Sequence, residues 1–474
     1  MLDLTQRHNH SYLQTVNAPG TVHRGEFFVN TNAANLVSKY CSSVNVLCLV
    51  TVARSGSKFF HSLLDHHPNV VCFPRKLQFN AFWNSVHSRK DDLASIIDIF
   101  IDRYDHYFSG ECWYKFTRRE RTTELGPKRN ETFFVDADLF RTNVYQILED
   151  IEINRTTLFL ALHFAYFQAK GKKIPDSFLL FYHVHDAFLE EELEACIEDF
   201  PQARILHTTR HPLQTLDSVF NWMVSQNKLL PRNLYTHYCA TINDVSNLLI
   251  KFPQTEIKVL SFERLQKNSK EVMRNFCEWI DLEWNDSLLE STIDGKLWWG
   301  NGKEARNGFT PDWPDYTLWQ CGGLRHNDWK VMNRLIHHRV NLYGYIPENN
   351  NVGLDSEIQW LRFFWPTTTE WMVCKSIVSF SHWIKVSNQV ISDINNPIFA
   401  SYDYYMRRNA IRSNDHAHSL FTNALLAWLR YSRIMASLIK EGNLFTFAYN
   451  YVRRVVFCLR LDRKNSFKRL PELL

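Results

Sequence analysis

A three-layer α/β fold with a mostly parallel central sheet, followed by a mostly helical C-terminal extension, is the class this sequence predicts. Three observations lead there. Residues 44–345 alternate apolar strand-like runs with segments of helical periodicity, the pattern of a parallel sheet covered by helices. Two of the strands end in short polar turns that run straight into helices. A turn-rich break, Ile346-Pro-Glu-Asn-Asn-Asn-Val-Gly353, closes the region, and helical periodicity dominates beyond it.

Residues 1–43 are a polar lead-in of weak periodicity. The β-branched run 44–52 reads as a strand. It stops at a small polar turn, Arg54-Ser55-Gly56-Ser57-Lys58. Phe60, Leu63 and Leu64 then mark one face of a helix that ends at His67-Pro68. The next expected sheet strand, 178–183, follows only after about 100 residues, and loops that long are functional or carry their own structure. Residues 75–175 are therefore read as a substrate-recognition insertion with helices over 91–104, 139–151 and 157–169. A helix over 190–200 is closed by Pro201 and leads into the strand Arg204-Ile-Leu-His-Thr-Thr, which ends at Arg210-His-Pro212. Leu213, Leu216, Phe220 and Met223 mark the buried face of the following helix, with Ser218 on another face. Residues 257–260 form a further strand. Asn268 is placed to cap the next helix, and Glu271 to return the cap; Val272, Met273, Phe276 and Ile280 face inward. Beyond the break, helices are expected over 357–364, 370–392, 419–440 and 444–461. The organisation is thus a lead-in (1–43), an α/β domain (44–345) and a helical region (346–474).

Strand, short loop and helix in that order aim loop amides and the positive end of a helix dipole at one point, which is an anion site. Gly56 lets the backbone approach the anion, Ser57 adds a hydroxyl, and Arg54 and Lys58 bracket it with charge. The spacing does not fit the nucleotide P-loop, which needs Gly, four residues, then Gly-Lys-Ser/Thr. Here Ser57 separates Gly56 from Lys58, and Thr51 stands in place of the leading glycine. Arg210 at a strand end and Ser218 in the next helix can converge on a second anion, and strand ends are where open α/β sheets bind ligands. Two such sites imply a ligand with two phosphate-type groups some distance apart.

These residues resemble the sulfotransferases that use 3′-phosphoadenosine 5′-phosphosulfate (PAPS). Arg54-Ser-Gly-Ser-Lys58, with Leu63-Leu64 and His67-Pro68, is similar to that family's 5′-phosphosulfate loop. Arg210-His-Pro212 with Ser218 is similar to its 3′-phosphate motif, and Ser261-Phe-Glu-Arg-Leu265 to the segment that follows. The resemblance spans about residues 44–345. It departs from many cytosolic members in having arginine before the Ser-Gly, where they have lysine, and Ser57-Lys58 after it. Arginine is a bidentate oxyanion partner and lysine a point charge, so the exchange is not neutral. The resemblance implies PAPS as co-substrate, with Arg54, Ser55, Gly56, Ser57, Lys58 and Phe59 on its phosphosulfate end. It assigns Arg210 and Ser218 to the 3′-phosphate and the Phe59 and Phe262 rings to the adenine. Lys303, with Arg306, would contact the nucleotide from a loop at 295–303. Core packing is the competing role for the two rings. No divalent metal is required.

In-line sulfuryl transfer develops charge on the bridging oxygen, which preorganised cations and amides must meet; Arg54 and Lys58 are placed for this. A base must take the acceptor's proton, best with a pKa near 7. His185, in Phe-Tyr-His183-Val-His185-Asp186, is the first candidate; some members carry a catalytic histidine in a Lys-Thr-His here, which sets His183 on the lysine. Alternating strand residues share a face, and His183 and His185 could also be structural or bind metal. Asp186, Glu131 and Asp136 are reserve bases.

A net charge of +4 on 474 residues is too small to imply nucleic-acid binding. Apolar content of 45% supplies ample core, and part of the 15 Trp and 34 Phe could serve a sugar or lipid acceptor. The ten cysteines are scattered singly, which suits reduced thiols and a cytoplasmic setting. The N-terminal residues carry no apolar run of signal-peptide length, and no window reaches the roughly 18 apolar residues of a membrane span. The last 25 residues hold seven Lys or Arg against two acids, interleaved with Val455, Val456, Phe457 and Leu459. That tail can lie on an anionic membrane surface, or present a solvated basic face while its helix packs on the main domain. The acceptor class (glycan, lipid, small alcohol or peptide) and the oligomeric state stay open. Two other functions compete: a P-loop phosphotransferase, and a non-catalytic scaffold of the same fold.

Overall fold

The computed structural model describes residues 33–41, 44–51, 54–112, 120–186, 190–211, 214–215, 218–219, 254–300 and 307–310. The lead-in before residue 33, the helix face built from Leu213, Leu216, Phe220 and Met223, Lys303 and Arg306, and the whole of 346–474 with its basic tail lie outside them.

Five strands, β1 (Asn45–Thr51), β2 (Val70–Cys72), β3 (Leu179–Asp186), β4 (Arg204–Thr209) and β5 (Ile257–Ser261), form an all-parallel sheet in the order β2-β3-β1-β4-β5. β1 is central and buried from Val46 to Thr51, as a strand covered on both faces must be. The period of two divides the core. Val46, Cys48, Val50, Leu180, Tyr182 and Ile205 face one helical layer, while Leu47, Leu49, Phe181, Leu206 and Leu260 face the other.

The first layer holds α1 (Ala33–Tyr40), α3 (Phe79–His87), α4 (Leu93–Arg103), the short α5 (Asp105–Phe108), α6 (Ala137–Leu148), α7 (Arg155–Ala169) and α8 (Glu190–Asp199). α7 is buried on all sides from Thr157 to Phe167, and Asn154 and Thr157 close it with a capping box. Much of the long segment between β2 and β3 is therefore one side of the core. Glu192 on α8 accepts hydrogen bonds from the amides of Asn80 (2.9 Å) and Ala81 (2.8 Å) and from the Tyr182 hydroxyl (2.9 Å). It thus caps α3, whose own cap residue Gln78 offers no side-chain bond.

The second layer holds α2 (Ser57–Leu64), α9 (Phe262–Lys267) and α10 (Ser269–Ile280). The expected cap at Asn268 is not made: its side chain bonds no helix amide, and its own amide donates to Arg264 O at 2.8 Å. α9 and α10 abut there, so Asn268 ends one helix as it starts the next. The capping hydroxyl is Ser261, which accepts from the Arg264 amide.

A hairpin of β6 (Thr292–Ile293) and β7 (Lys296–Leu297) turns through Asp294 (φ 54°) and Gly295 (φ 72°), the paired positive φ of a type I′ turn. Asp65, buried at the end of α2, accepts from Thr292 Oγ1 (3.1 Å) and the Gly295 amide (2.8 Å). Lys170 lies 2.8 Å from Asp294 and 4.0 Å from Asp65, tying α7 to the same hairpin. Burial works to raise the Asp65 carboxyl, but Lys170 and the Gly295 amide hold it below its ordinary value.

Among the described residues no helix is long and apolar enough to cross a membrane. The six described cysteines are free thiols, and Cys48, Cys72, Cys196 and Cys277 are buried.

Candidate anion-binding site

The strand order reverses at β1: β2 and β3 lie on one side, β4 and β5 on the other. The C-terminal ends beside such a reversal open a crevice for ligands. Three segments leave the sheet here, after β1, β4 and β5.

The loop after β1 has the geometry its residues predict. Arg54 (φ 73°) and Gly56 (φ 87°) are both left-handed, and α2 starts directly at Ser57 with no side-chain cap from Gly56. The first-turn amides of α2 thus converge on one point. Beneath the loop, hydroxyls lock the strand ends together. Thr51 Oγ1 contacts Ser55 Oγ, and Thr208 Oγ1 donates to Thr51 Oγ1 at 2.9 Å. Thr51, the residue that breaks the nucleotide P-loop pattern, is fully buried in this chain of hydroxyls.

The two anion motifs meet. Arg54 Nε donates to Ser218 Oγ at 2.9 Å across 164 residues of sequence. Arg210, just past β4, donates from Nε to Gln214 Oε1 at 3.1 Å and lies over the Phe262 ring, 5.6 Å from its centre. Phe262 starts α9, and its ring packs on the anion loop: a Cβ at Gly56 would stand 2.2 Å from Cδ2. Phe59 meets Phe262 edge-on at 6.0 Å and Phe309 at 5.2 Å. Both assigned rings therefore belong to one aromatic cluster beside the loop.

The histidine strand is divided. His183 is buried, with Nδ1 3.0 Å from Nδ1 of His61 on α2, while His61 Nε2 is 2.9 Å from Phe73 O. A carbonyl only accepts, so His61 Nε2 carries its proton and His61 Nδ1 is the acceptor. His183 Nδ1 must then donate. Burial lowers the His61 pKa to about 4, which keeps its ring neutral. His183 is thus hydrogen-bonded within the core against α2. The register between β1 and β3 slips after His183, and His185 and Asp186 pair with Val50 and Thr51, directly before the anion loop.

Three features escaped the sequence reading. β2 pairs in parallel with β3, Val70 opposite Leu179, but three residues are too few for a periodic signal. Phe309 joins the ring cluster. Above all, Glu120 contacts Lys58 through Oε1, and Arg75 Nη1 lies 2.5 Å from its Oε2. Burial works to raise the Glu120 carboxyl, but Lys58 and Arg75 outweigh it and hold it below its ordinary value. The available signal was a lone acid in a basic run, Arg118-Arg119-Glu120-Arg121.

Residues 47–286, half of the chain, match a family model described as "Sulfotransferase family". No curated protein matches the sequence. Similar solved structures include the sulfotransferase domain of the Synechococcus PCC 7002 olefin synthase, at 15% identity over 52% of this chain and 77% of that one, with a TM-score of 0.33. The sulfotransferase domain from the curacin biosynthetic pathway aligns at 12% identity over 62% and 98%, with a TM-score of 0.35. A Mycobacterium avium sulfotransferase aligns at 13% over 54% and 70%, with a TM-score of 0.27. The family match takes in both anion motifs and the C-terminal ends of all five strands, and on it the chain belongs to the sulfotransferase family.

Proposed function

We propose that this protein moves a sulfuryl group from PAPS to a hydroxyl or amine of an acceptor by in-line displacement. The observation that carries the reading is the Arg54–Ser218 hydrogen bond, which joins a phosphosulfate-type loop to a 3′-phosphate-type motif. PAPS supplies the sulfuryl group on a phosphate leaving group. Arg54, Lys58 and the amides from Ser55 to Phe59 meet its 5′ end and the charge that develops there. Arg210 and Ser218 hold the 3′-phosphate, the Phe59 and Phe262 rings flank the adenine, and Lys303 is a further nucleotide contact. His185 takes the acceptor's proton. The scheme calls for no metal ion. The setting is cytoplasmic, with the basic C-terminal tail available for contact with an anionic membrane surface, and the acceptor is left to screening.

Thermal unfolding with 3′,5′-ADP, the desulfated product of PAPS, against ATP with Mg²⁺ tests this. A ligand at about 100 times its dissociation constant adds roughly 2.7 kcal/mol. Stabilisation by 3′,5′-ADP alone is the expected result. Stabilisation by ATP with Mg²⁺ alone would turn the reading to a phosphotransferase, and by neither to a scaffold without its cofactor.

A further inference from the structure

We propose that Glu120 is a built-in competitor for the sulfuryl donor: an internal carboxylate that holds Lys58 until the phosphosulfate end of the ligand takes its place. The inference rests on the PAPS reading above. Lys58 is the second residue of α2, at the mouth of the anion loop, and Glu120 reaches it from 62 residues away. Both carboxylate oxygens are engaged, one by Lys58 and one by Arg75. Glu120 is 5% exposed, and its backbone oxygen accepts from the Trp298 indole at 2.7 Å. The carboxylate is therefore the fixed member of the pair. Lys58 is the movable one, with 41% of its side chain exposed and a compact ammonium on a flexible stem.

A carboxylate oxygen against Lys58 stands where an oxyanion of the ligand would have to bind. The two negative charges disfavour each other, so donor binding requires Lys58 to change partners. The exchange is feasible because Arg75 stays with Glu120 and no buried charge is left without a cation. Lys58 turns to the sulfonate when the donor binds, and once that group has left with the acceptor, Glu120 recaptures Lys58 and the remaining nucleotide is held less tightly.

The inference makes a ligand-specific demand. PAPS carries the sulfonate and 3′,5′-ADP lacks it, so relief of the competition favours PAPS. Titration calorimetry on the full chain is expected to show Glu120→Gln binding PAPS about tenfold more tightly, about 1.4 kcal/mol, and 3′,5′-ADP changed by less than about threefold. The gain is expected to vanish in the Lys58→Ala/Glu120→Gln double variant, because the two residues act as a coupled pair. If Glu120→Gln does not fold, Glu120→Asp serves instead: it keeps the charge beside Arg75, falls short of Lys58, and should tighten PAPS about threefold. Unchanged or weaker PAPS binding, or equal weakening of both ligands, overturns the inference and leaves Glu120 a structural support. Binding of neither ligand by the wild-type chain overturns the donor assignment and this inference with it.

Discussion

Replacing Gly56 by alanine probes the anion loop and the ring above it together. The residue sits at φ 87°, and a Cβ would lie 2.2 Å from Phe262 Cδ2. An L-residue in the left-handed region costs about 1–2 kcal/mol. The ring must also move, which loosens its edge-to-face contact with Phe59, worth about 0.5–1.5 kcal/mol. It moves away from Arg210 as well, a cation–π contact of about 0.5–1 kcal/mol. Alanine recovers about 0.4–1 kcal/mol by stiffening the unfolded chain. The net loss is about 2–3 kcal/mol, or roughly 3–5 °C in melting temperature for a domain of this size. The assay is thermal unfolding with and without 3′,5′-ADP. Gly56→Ala should melt lower and lose the ligand-induced shift, and Phe262→Leu should be less harmful in the Gly56→Ala background than in the wild type. A variant that melts within about 1 °C of wild type, with an undiminished ligand shift, would refute the close approach of ring and loop.

Other predictions concern single groups. Arg210→Ala should weaken 3′,5′-ADP binding about 10- to 150-fold, the loss of a charge-assisted hydrogen bond; calorimetry showing less than about threefold would remove Arg210 from the 3′-phosphate site. Lys170→Met leaves Asp65 and Asp294 without their cation and should cost about 3–5 kcal/mol in urea unfolding, whereas a loss below about 1 kcal/mol would mean the pair is screened by solvent. His61 and His163 are buried, and desolvation lowers each to about 4. Their folded pKa values lie below the unfolded value of about 6.5. The stability they contribute is therefore complete above that value and is lost as pH falls toward 4, about 3 kcal/mol each. Unfolding free energies measured from pH 7 to 4.5 should fall with a slope that approaches about two protons near pH 5, and a flat profile would show that the histidines titrate in the folded state.

What the sequence made legible tracks the length and regularity of each signal. β1, with six consecutive buried residues from Val46 to Thr51, reads as a strand because the run is short and β-branched as well as continuously apolar. The turn that follows is legible as a turn from its Gly and Ser between two cations, but its contact with Ser218, 164 residues away, is not. β2 was hidden by its length. The failed cap at Asn268 was hidden by crowding, since a capping residue is recognised by the helix after it and not by the one before. His183 and Glu120 show a third kind of limit. Their partners, His61 and Lys58, lie 122 and 62 residues away. No local pattern records such a pairing, because it is created by the order in which the strands are laid down.

Among the described residues, three buried carboxylates (Asp65, Glu120 and Glu192) organise the fold around the site, and the chemistry of their partners separates their roles. Glu192 is held by two helix amides and a tyrosine hydroxyl, and Asp65 by a hairpin amide, a threonine hydroxyl and Lys170. Neither can release its backbone partners without opening the first turn of α3 or lifting the β6–β7 hairpin, so both are fixtures. Glu120 is held at its carboxylate by two side-chain cations, each on its own stem and one of them half-buried at the anion loop. It can lose Lys58 and keep Arg75 with no change in backbone. Of the three, Glu120 is the carboxylate whose surroundings allow it to change partners, and it is the one that touches the anion loop.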